Sequence, residues 1–163
     1  MILFTGDNGT RGAGKGQPTE LGARVPMIVN GPTLVKPIGL SDALVDTSDV
    51  MPTLVELAGT SLPEDHPIDG HSFAPILRGE KQDVREWVFS YLADKRVLRT
   101  KRYLLERNSP EDFGTRYDCG DSRDGTGYTD VTSSDAPEVE AIRKRFCEIL
   151  ATKPVPEMRD RRR

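Results

Sequence analysis

The chain opens on an apolar triplet, Ile2-Leu3-Phe4, that runs directly into polar, glycine-rich sequence. A short apolar run with such punctuation predicts a buried strand. A second run, Val25 to Asn30, ends at Gly31-Pro32 and predicts another strand; Val25, Ile28 and Val29 are β-branched and suit one. Pro32, Pro37 and Gly39 make residues 32–41 an extended loop. The period then becomes helical. Val50, Leu54, Leu57 and Ala58 fall on one face, Thr47 or Ser48 can cap, Pro52 suits the first turn, and Gly59 ends the helix. Residues 60–83, with Pro63, Pro67 and Pro75, read as loop. Trp87 to Tyr91 alternates and predicts a strand, and Arg96 to Arg107 predicts two strands joined near Thr100-Lys101. Residues 108–135 are rich in Asp, Gly, Ser and Thr and read as loop. From Pro137 to Ala151 the helical period returns. Val139, Ile142, Phe146 and Ile149/Leu150 form its apolar stripe, Asp135 is the expected cap, and Glu140 faces Lys144. Arg159 to Arg163 is a basic tail, expected to be disordered.

Composition narrows the class. A net charge of −3 and a pI near 5.5 do not describe a nucleic-acid surface. No apolar run approaches the ~18 residues of a membrane span. Cys119 and Cys147 lack metal-ligand spacing and read as free thiols, the alternative being a disulfide between them in an exporting compartment. Arg96, Arg99, Lys101, Arg102 and Arg107 read as the wet face of a half-buried sheet, the alternative being a patch for a polyanion. A chain that begins on a buried strand, with nothing ahead of it to build a sheet, reads as the carboxyl-terminal portion of a longer protein. The alternative is a complete small α/β domain.

The chemistry concentrates in Leu3 to Pro26. In open α/β sheets ligands bind past the carboxyl ends of strands, and Asp7 and Asn8 sit at such an end. Both offer hard oxygens that suit Ca²⁺ or Mg²⁺. Lys15 offers a compact positive charge for an anionic group. Asp-Asn-Gly is also an ordinary turn sequence, and a lone lysine is usually a solvated one. The ordered combination is what points to a metal and oxyanion site.

That combination resembles the sulfatase family. The matching residues are Phe4-Thr5-Gly6-Asp7-Asn8-Gly9, Lys15-Gly16, Glu20, Gly22 and Arg24-Val25-Pro26. Asp49-Val50-Met51-Pro52-Thr53-Leu54, Leu57-Ala58-Gly59, and Asp69-Gly70 with Ser72 follow in the family's order. Val97 to Leu105 resembles the family's carboxyl-terminal hairpin, and Tyr117-Asp118 its Leu-Tyr-Asp element. Gly6 and Leu21 depart from the pattern without removing a proposed ligand.

The resemblance implies an α/β fold, the carboxyl-terminal part of an alkaline-phosphatase-like sandwich, plus a small antiparallel sheet packed by a carboxyl-terminal helix. It divides the chain into residues 1–83, carrying the calcium and sulfate loop and the helix near 50–58, residues 84–153 as the small-sheet subdomain, and the tail 154–163. It implies hydrolysis of sulfate esters by a formylglycine nucleophile that this chain lacks. Asp7 and Asn8 then coordinate Ca²⁺ and Lys15 binds sulfate, while Glu20 and Arg24 fix the loop as a buried ion pair. Asp49 and Thr53 are structural. The implied partners are a sulfated small molecule or glycan and a chain carrying the missing half, and the implied location is periplasmic or extracellular. His66 and His71 read as loop residues. Cys119-Gly120-Asp121-Ser122-Arg123 carries the Cys, Ser and Arg of the family's C-x-P-S-R nucleophile motif. Asp121 replaces its Pro and the stretch lies after the Asp-Asn loop, so the match reads as coincidence. A phosphate or phosphonate ester hydrolase of the same superfamily, and a non-enzymatic relic or split-subunit module, remain the alternative functions.

Overall fold

The computed structural model describes residues 1–10, 12, 14–122 and 125–153. The basic tail therefore lies outside the described residues. The chain divides into two compact units, residues 1–6 with 26–88, and residues 7–25 with 89–163.

In the first unit, β1 (Ile2–Thr5) pairs antiparallel with β2 (Met27–Asn30). Leu3 lies opposite Val29, and Phe4 opposite Ile28. Because side chains alternate across a strand, Leu3, Met27 and Val29 share the inner face. They pack on Phe73, Ile76 and Leu77. The other face does not match the expectation of a buried strand. Ile2, Phe4 and Ile28 are 71%, 58% and 59% exposed, since no described segment covers that side of the two-stranded sheet.

The helix α2 (Val50–Leu57) follows a 3₁₀ turn, Thr47–Asp49. The cap of that turn is Asp46, neither Thr47 nor Ser48. The Asp46 carboxylate accepts from the Ser48 N–H at 2.9 Å, while the Asp49 carboxylate accepts from the Asp46 N–H at 2.7 Å. This reciprocal box satisfies donors that a helix start leaves open. The buried face of α2 also differs from the apolar pattern. Leu54 and Ala58 are exposed, whereas Pro52 and Thr53 are buried. Thr53 donates its hydroxyl proton to the Asp49 carbonyl at 2.6 Å and accepts from the Phe73 N–H at 2.9 Å. A polar pair one turn apart thus takes the inward face because each group finds a partner there. A short helix, α3 (Ala74–Leu77), interrupts the segment expected to be loop; Pro75 fits its first turn and supplies the φ that starts it.

The second unit holds a five-stranded antiparallel sheet in the order β3 (Trp87–Leu92), β4 (Lys95–Thr100), β5 (Tyr103–Asn108), β6 (Thr115–Asp118) and β7 (Thr129–Asp130). The strands β6 and β7 fall in the stretch read as loop. They are short, and the pairing of β6 with β5 and of β7 with β6, rather than their own composition, makes them strands. Arg96, Val97 and Leu98 are buried in succession, so both faces of β4 are covered. On one face Val97, Leu104 and Cys119 pack with Tyr117 and Tyr128. On the other lie the paired Leu98 and Leu105, with Arg96 reaching the Leu150 carbonyl of α4 (Pro137–Ala151). Val139, Phe146, Ile149 and Leu150 of α4 are buried, as the stripe predicts. Asp135 does not cap α4, whose first residue follows an extended Ala136 and is a proline with no N–H to satisfy. Glu140 pairs with Arg143 at 3.3 Å rather than with Lys144. Arg96 and Arg99 correct the expectation of a wet basic face. Arg96 is 8% exposed, held by Asn108 Oδ1 at 2.8 Å, and its burial lowers the pKa of its guanidinium. Among the described residues, no helix is long and apolar enough to cross a membrane.

Candidate functional site

The glycine-rich segment belongs to the second unit and folds against a single helical turn, α1 (Glu20–Ala23), that the sequence pattern did not announce. The Gly9 N–H donates to the Gly22 carbonyl at 3.0 Å. Gly14 and Lys15 both donate to the Thr10 carbonyl, at 2.9 and 2.8 Å, and Gln17 donates to Gly14 at 2.9 Å. Two glycines are required for this packing. A Cβ on Gly9 or on Gly14 would fall on the Leu21 carbonyl. The loop thus closes on itself and brings both of its arms, Gly9 next to Asn8 and Gly14 next to Lys15, onto the carbonyl of one residue of α1.

Asp7 and Lys15 are exposed and Asn8 is half-buried. Asp7 and Asn8 follow the end of β1, as expected, and their oxygens are of the hard type that Ca²⁺ takes. Two donors are far short of the ~6–8 oxygens of a calcium shell. Among the described residues no group of three or more His, Cys, Asp or Glu is placed to hold a metal. The donor chemistry fits calcium and the donor count requires further ligands.

Glu20 does not pair with Arg24. Its carboxylate accepts from Arg99 Nε at 2.9 Å and from the Tyr128 hydroxyl at 2.5 Å. The Glu20 N–H donates to Glu106 Oε1 at 2.6 Å, and the neighbouring Arg107 N–H donates to the Pro18 carbonyl at 3.2 Å. Arg99 also stacks over the Tyr128 ring, 5.7 Å from its centroid. The Arg24 guanidinium lies beside Gly125 instead. Burial pushes the Glu106 carboxyl above its ordinary range, and the Glu20 N–H pulls it partly back. Burial and the bond to Glu20 raise the Tyr128 phenol, so it remains a donor at any ordinary pH. Arg99, Glu106 and Tyr128 were missed by sequence reasoning because nothing in their spacing ties them to Glu20.

The other residues of interest lie elsewhere. Cys119 is 3% exposed, and burial pushes its thiol up to about 11, which removes the thiolate a nucleophile needs. Cys147 is exposed, and both cysteines are free. Arg123 of the C-x-x-S-R stretch lies outside the described residues. His66 is an exposed loop residue whose Nδ1 lies 3.0 Å from the Asp65 carbonyl. His71 lies in the first unit, its Nδ1 3.1 Å from Arg85 Nη2.

Residues 18–109 match the family described as N-sulphoglucosamine sulphohydrolase, C-terminal. The match includes Glu20, Arg99 and Glu106; Asp7, Asn8 and Lys15 stand just ahead of it. The Ulvan-active sulfatase of Formosa agariphila is 33% identical over 118 residues, which cover 66% of this chain and 23% of the relative. Human steryl-sulfatase is 38% identical over 90 residues, covering 55% of this chain and 15% of the relative. The chain therefore spans under a quarter of the length of either. A solved structure from a Bacteroides thetaiotaomicron locus for metabolism of multiple glycosaminoglycans superposes with a TM-score of 0.69 at 23% identity, over 93% of this chain and 38% of that one. That likeness shows the fold.

Proposed function

This chain belongs to the sulfatase family, and on that premise we propose that it is the carboxyl-terminal part of a sulfate-ester hydrolase, contributing Asp7 and Asn8 to a calcium site and Lys15 to the sulfate. The observation that carries this reading is the glycine loop itself. Its backbone is fixed by hydrogen bonds at Gly9, Gly14, Lys15 and Gln17, while Asp7 and Lys15 are left exposed. A rigid backbone with open ligating side chains is what a preorganised site needs, because little ordering cost remains when the ligand arrives.

Calcium, when bound, would supply positive charge where sulfate oxygens gain negative charge. Asp7 and Asn8 would hold it by oxygen atoms, with the rest of the shell coming from outside this chain. Lys15 would donate from Nζ to a sulfate oxygen. The formylglycine nucleophile is assigned to a segment outside this sequence, since the buried Cys119 cannot serve. The substrate class is a sulfated small molecule or glycan. Export to the periplasm or the extracellular space goes with the family reading.

Calorimetry on the purified 163-residue chain tests the assignment. Calcium should bind weakly, with a Kd of ~10⁻⁴ to 10⁻³ M, and Asp7→Ala should abolish it. Binding that survives both Asp7→Ala and Asn8→Ala would overturn the metal assignment. The same chain should not turn over an aryl sulfate, and full turnover would refute the missing nucleophile. A second reading, a module that works only beside another chain, is favoured by the exposed Ile2, Phe4 and Ile28. It predicts concentration-dependent association, and a monodisperse monomer that binds no apolar dye would count against it.

A further inference from the structure

The side chains proposed as ligands come from two arms of one loop, and their separation is set by whatever holds the arms together. The structure names that element. Gly9, next to Asn8, and Gly14, next to Lys15, both pack so closely on the Leu21 carbonyl that neither position has room for a Cβ. Gly9 is also bonded to Gly22, at 3.0 Å. The turn α1 is therefore the common support of both arms. A four-residue helix does not hold itself in water, because the nucleus costs more order than its bonds return. No side-chain bond caps it, and it has no buried residue. What fixes it is its first residue. Glu20 is staked to the five-stranded sheet by Arg99 of β4 at 2.9 Å, Tyr128 at 2.5 Å, and the Glu20 N–H on Glu106 of β5 at 2.6 Å.

We propose that Glu20, Arg99 and Tyr128 are positioning residues that set Lys15 relative to Asp7-Asn8 by pinning α1. The functional weight of this assignment rests on the sulfate reading above, but the pinning itself does not. Arg99 is well chosen for this work. Its Nη1 is already held by the Thr100 and Lys101 carbonyls, at 2.5 and 3.0 Å, so Nε meets Glu20 from a fixed guanidinium. Glu106 opposes movement from the backbone side, accepting the N–H that opens the turn.

Amide hydrogen exchange on the intact, isotope-labelled chain tests the proposal, with Tyr128→Phe as the variant. It removes one hydroxyl and keeps the ring that stacks on Arg99. Losing a hydrogen bond to a carboxylate should speed exchange at Gly9, Gly14, Lys15, Gln17 and Gly22 on the order of tenfold. The Leu104 and Leu105 amides of β5 should keep their rates. Equal acceleration in loop and sheet would mean general destabilisation and would overturn the proposal, as would an unchanged loop. Glu20→Gln provides the second variant, which keeps the shape and loses the charge held by Arg99; it should loosen the same five amides. Inorganic sulfate separates this inference from the reading it serves. In the wild-type chain sulfate should shift the Lys15 amide resonance, and in Tyr128→Phe its affinity should fall by a factor comparable to the gain in exchange. If sulfate leaves Lys15 unmoved while Tyr128→Phe still loosens the loop, the pinning stands and the sulfate assignment falls. If affinity holds while the loop loosens, the positioning role is refuted.

Discussion

Each unit contains a shielded carboxylate paired with arginine, and the two pairs are built for different ends. Asp49, 0% exposed, has both oxygens engaged. Oδ2 accepts from the Asp46 N–H, and Oδ1 accepts from the His71 N–H at 2.7 Å and from Arg85 Nη2. Its partners start a helix and tie the 70–73 segment to it, so the pair organises its own unit. Glu20 also has both oxygens engaged, but the turn it opens supports the glycine loop, from which Asp7 and Lys15 stand exposed. The arginines differ too. Arg85 Nε is buried without a partner, whereas Arg99 has backbone acceptors of its own. One pair is thus brittle, because besides Asp49 Arg85 meets only the exposed His71 imidazole among the described residues; the other tolerates loss, because Arg99 keeps backbone acceptors.

The largest effect should follow from breaking the brittle pair. Asp49→Ala strands Arg85 in a site where only 10% of its side chain is exposed and removes the bonds to two backbone donors. The expected loss is about 3–5 kcal/mol, typical of a buried pair broken at one end. Urea unfolding followed by the fluorescence of Trp87, the chain's single tryptophan, reads it. Glu20→Ala should cost about 1.5–3 kcal/mol, the range for hydrogen bonds to a charged group, and should act mainly on loop exchange. If the two variants cost the same, the distinction between the pairs fails.

The sequence made one side of this comparison visible and hid the other. The glycine loop was legible because glycine spacing and ordered polar residues act locally, through turn geometry and close backbone approach. The strands β3 to β5 and the stripe of α4 were legible for the same reason, since their periods are properties of a few adjacent residues. Glu20 was read as the partner of Arg24, and its carboxylate instead meets Arg99 and Tyr128. The true partners are distant in the chain, and only the folded sheet brings Arg99 and Tyr128 together. The buried face of α2 was misread because the pattern counts Asp49 and Thr53 as polar, and polarity stops excluding a residue from the interior once every oxygen has a donor. Strands β6 and β7 escaped notice because pairing, more than composition, makes them.

A smaller effect separates charges that burial opposes from charges that a partner supports. Burial raises the Glu106 carboxyl above its ordinary value of 4.5. Its contribution is complete below the unfolded value and is lost as pH rises through the raised folded one. Asp118 moves the other way. Hydrogen bonds from Arg102 hold it below its ordinary 3.8, so its contribution is present above that value and lost as pH falls through the lowered one. Urea midpoints between about pH 3 and 7 should therefore respond oppositely. Glu106→Gln should gain on wild type as pH rises, and Asp118→Asn should lose its disadvantage as pH falls. The same sign for both would show that burial does not raise the Glu106 carboxyl.

The smallest effect is expected at the histidine that most invites a chemical role. His71 meets Asp49 through its backbone N–H, at 2.7 Å, and that bond survives any substitution but proline. Its side chain is exposed and touches Arg85 from outside. His71→Ala should thus shift stability within about 0.5 kcal/mol, as exposed substitutions usually do. The neighbouring Gly70→Ala should be far worse, because the added Cβ would fall on the Ser48 carbonyl. Measured side by side in urea, the two changes ask whether the 70–73 segment is held by its backbone or by its imidazole. A loss at His71→Ala approaching that at Asp49→Ala would move the imidazole into the pair and make Arg85 depend on both.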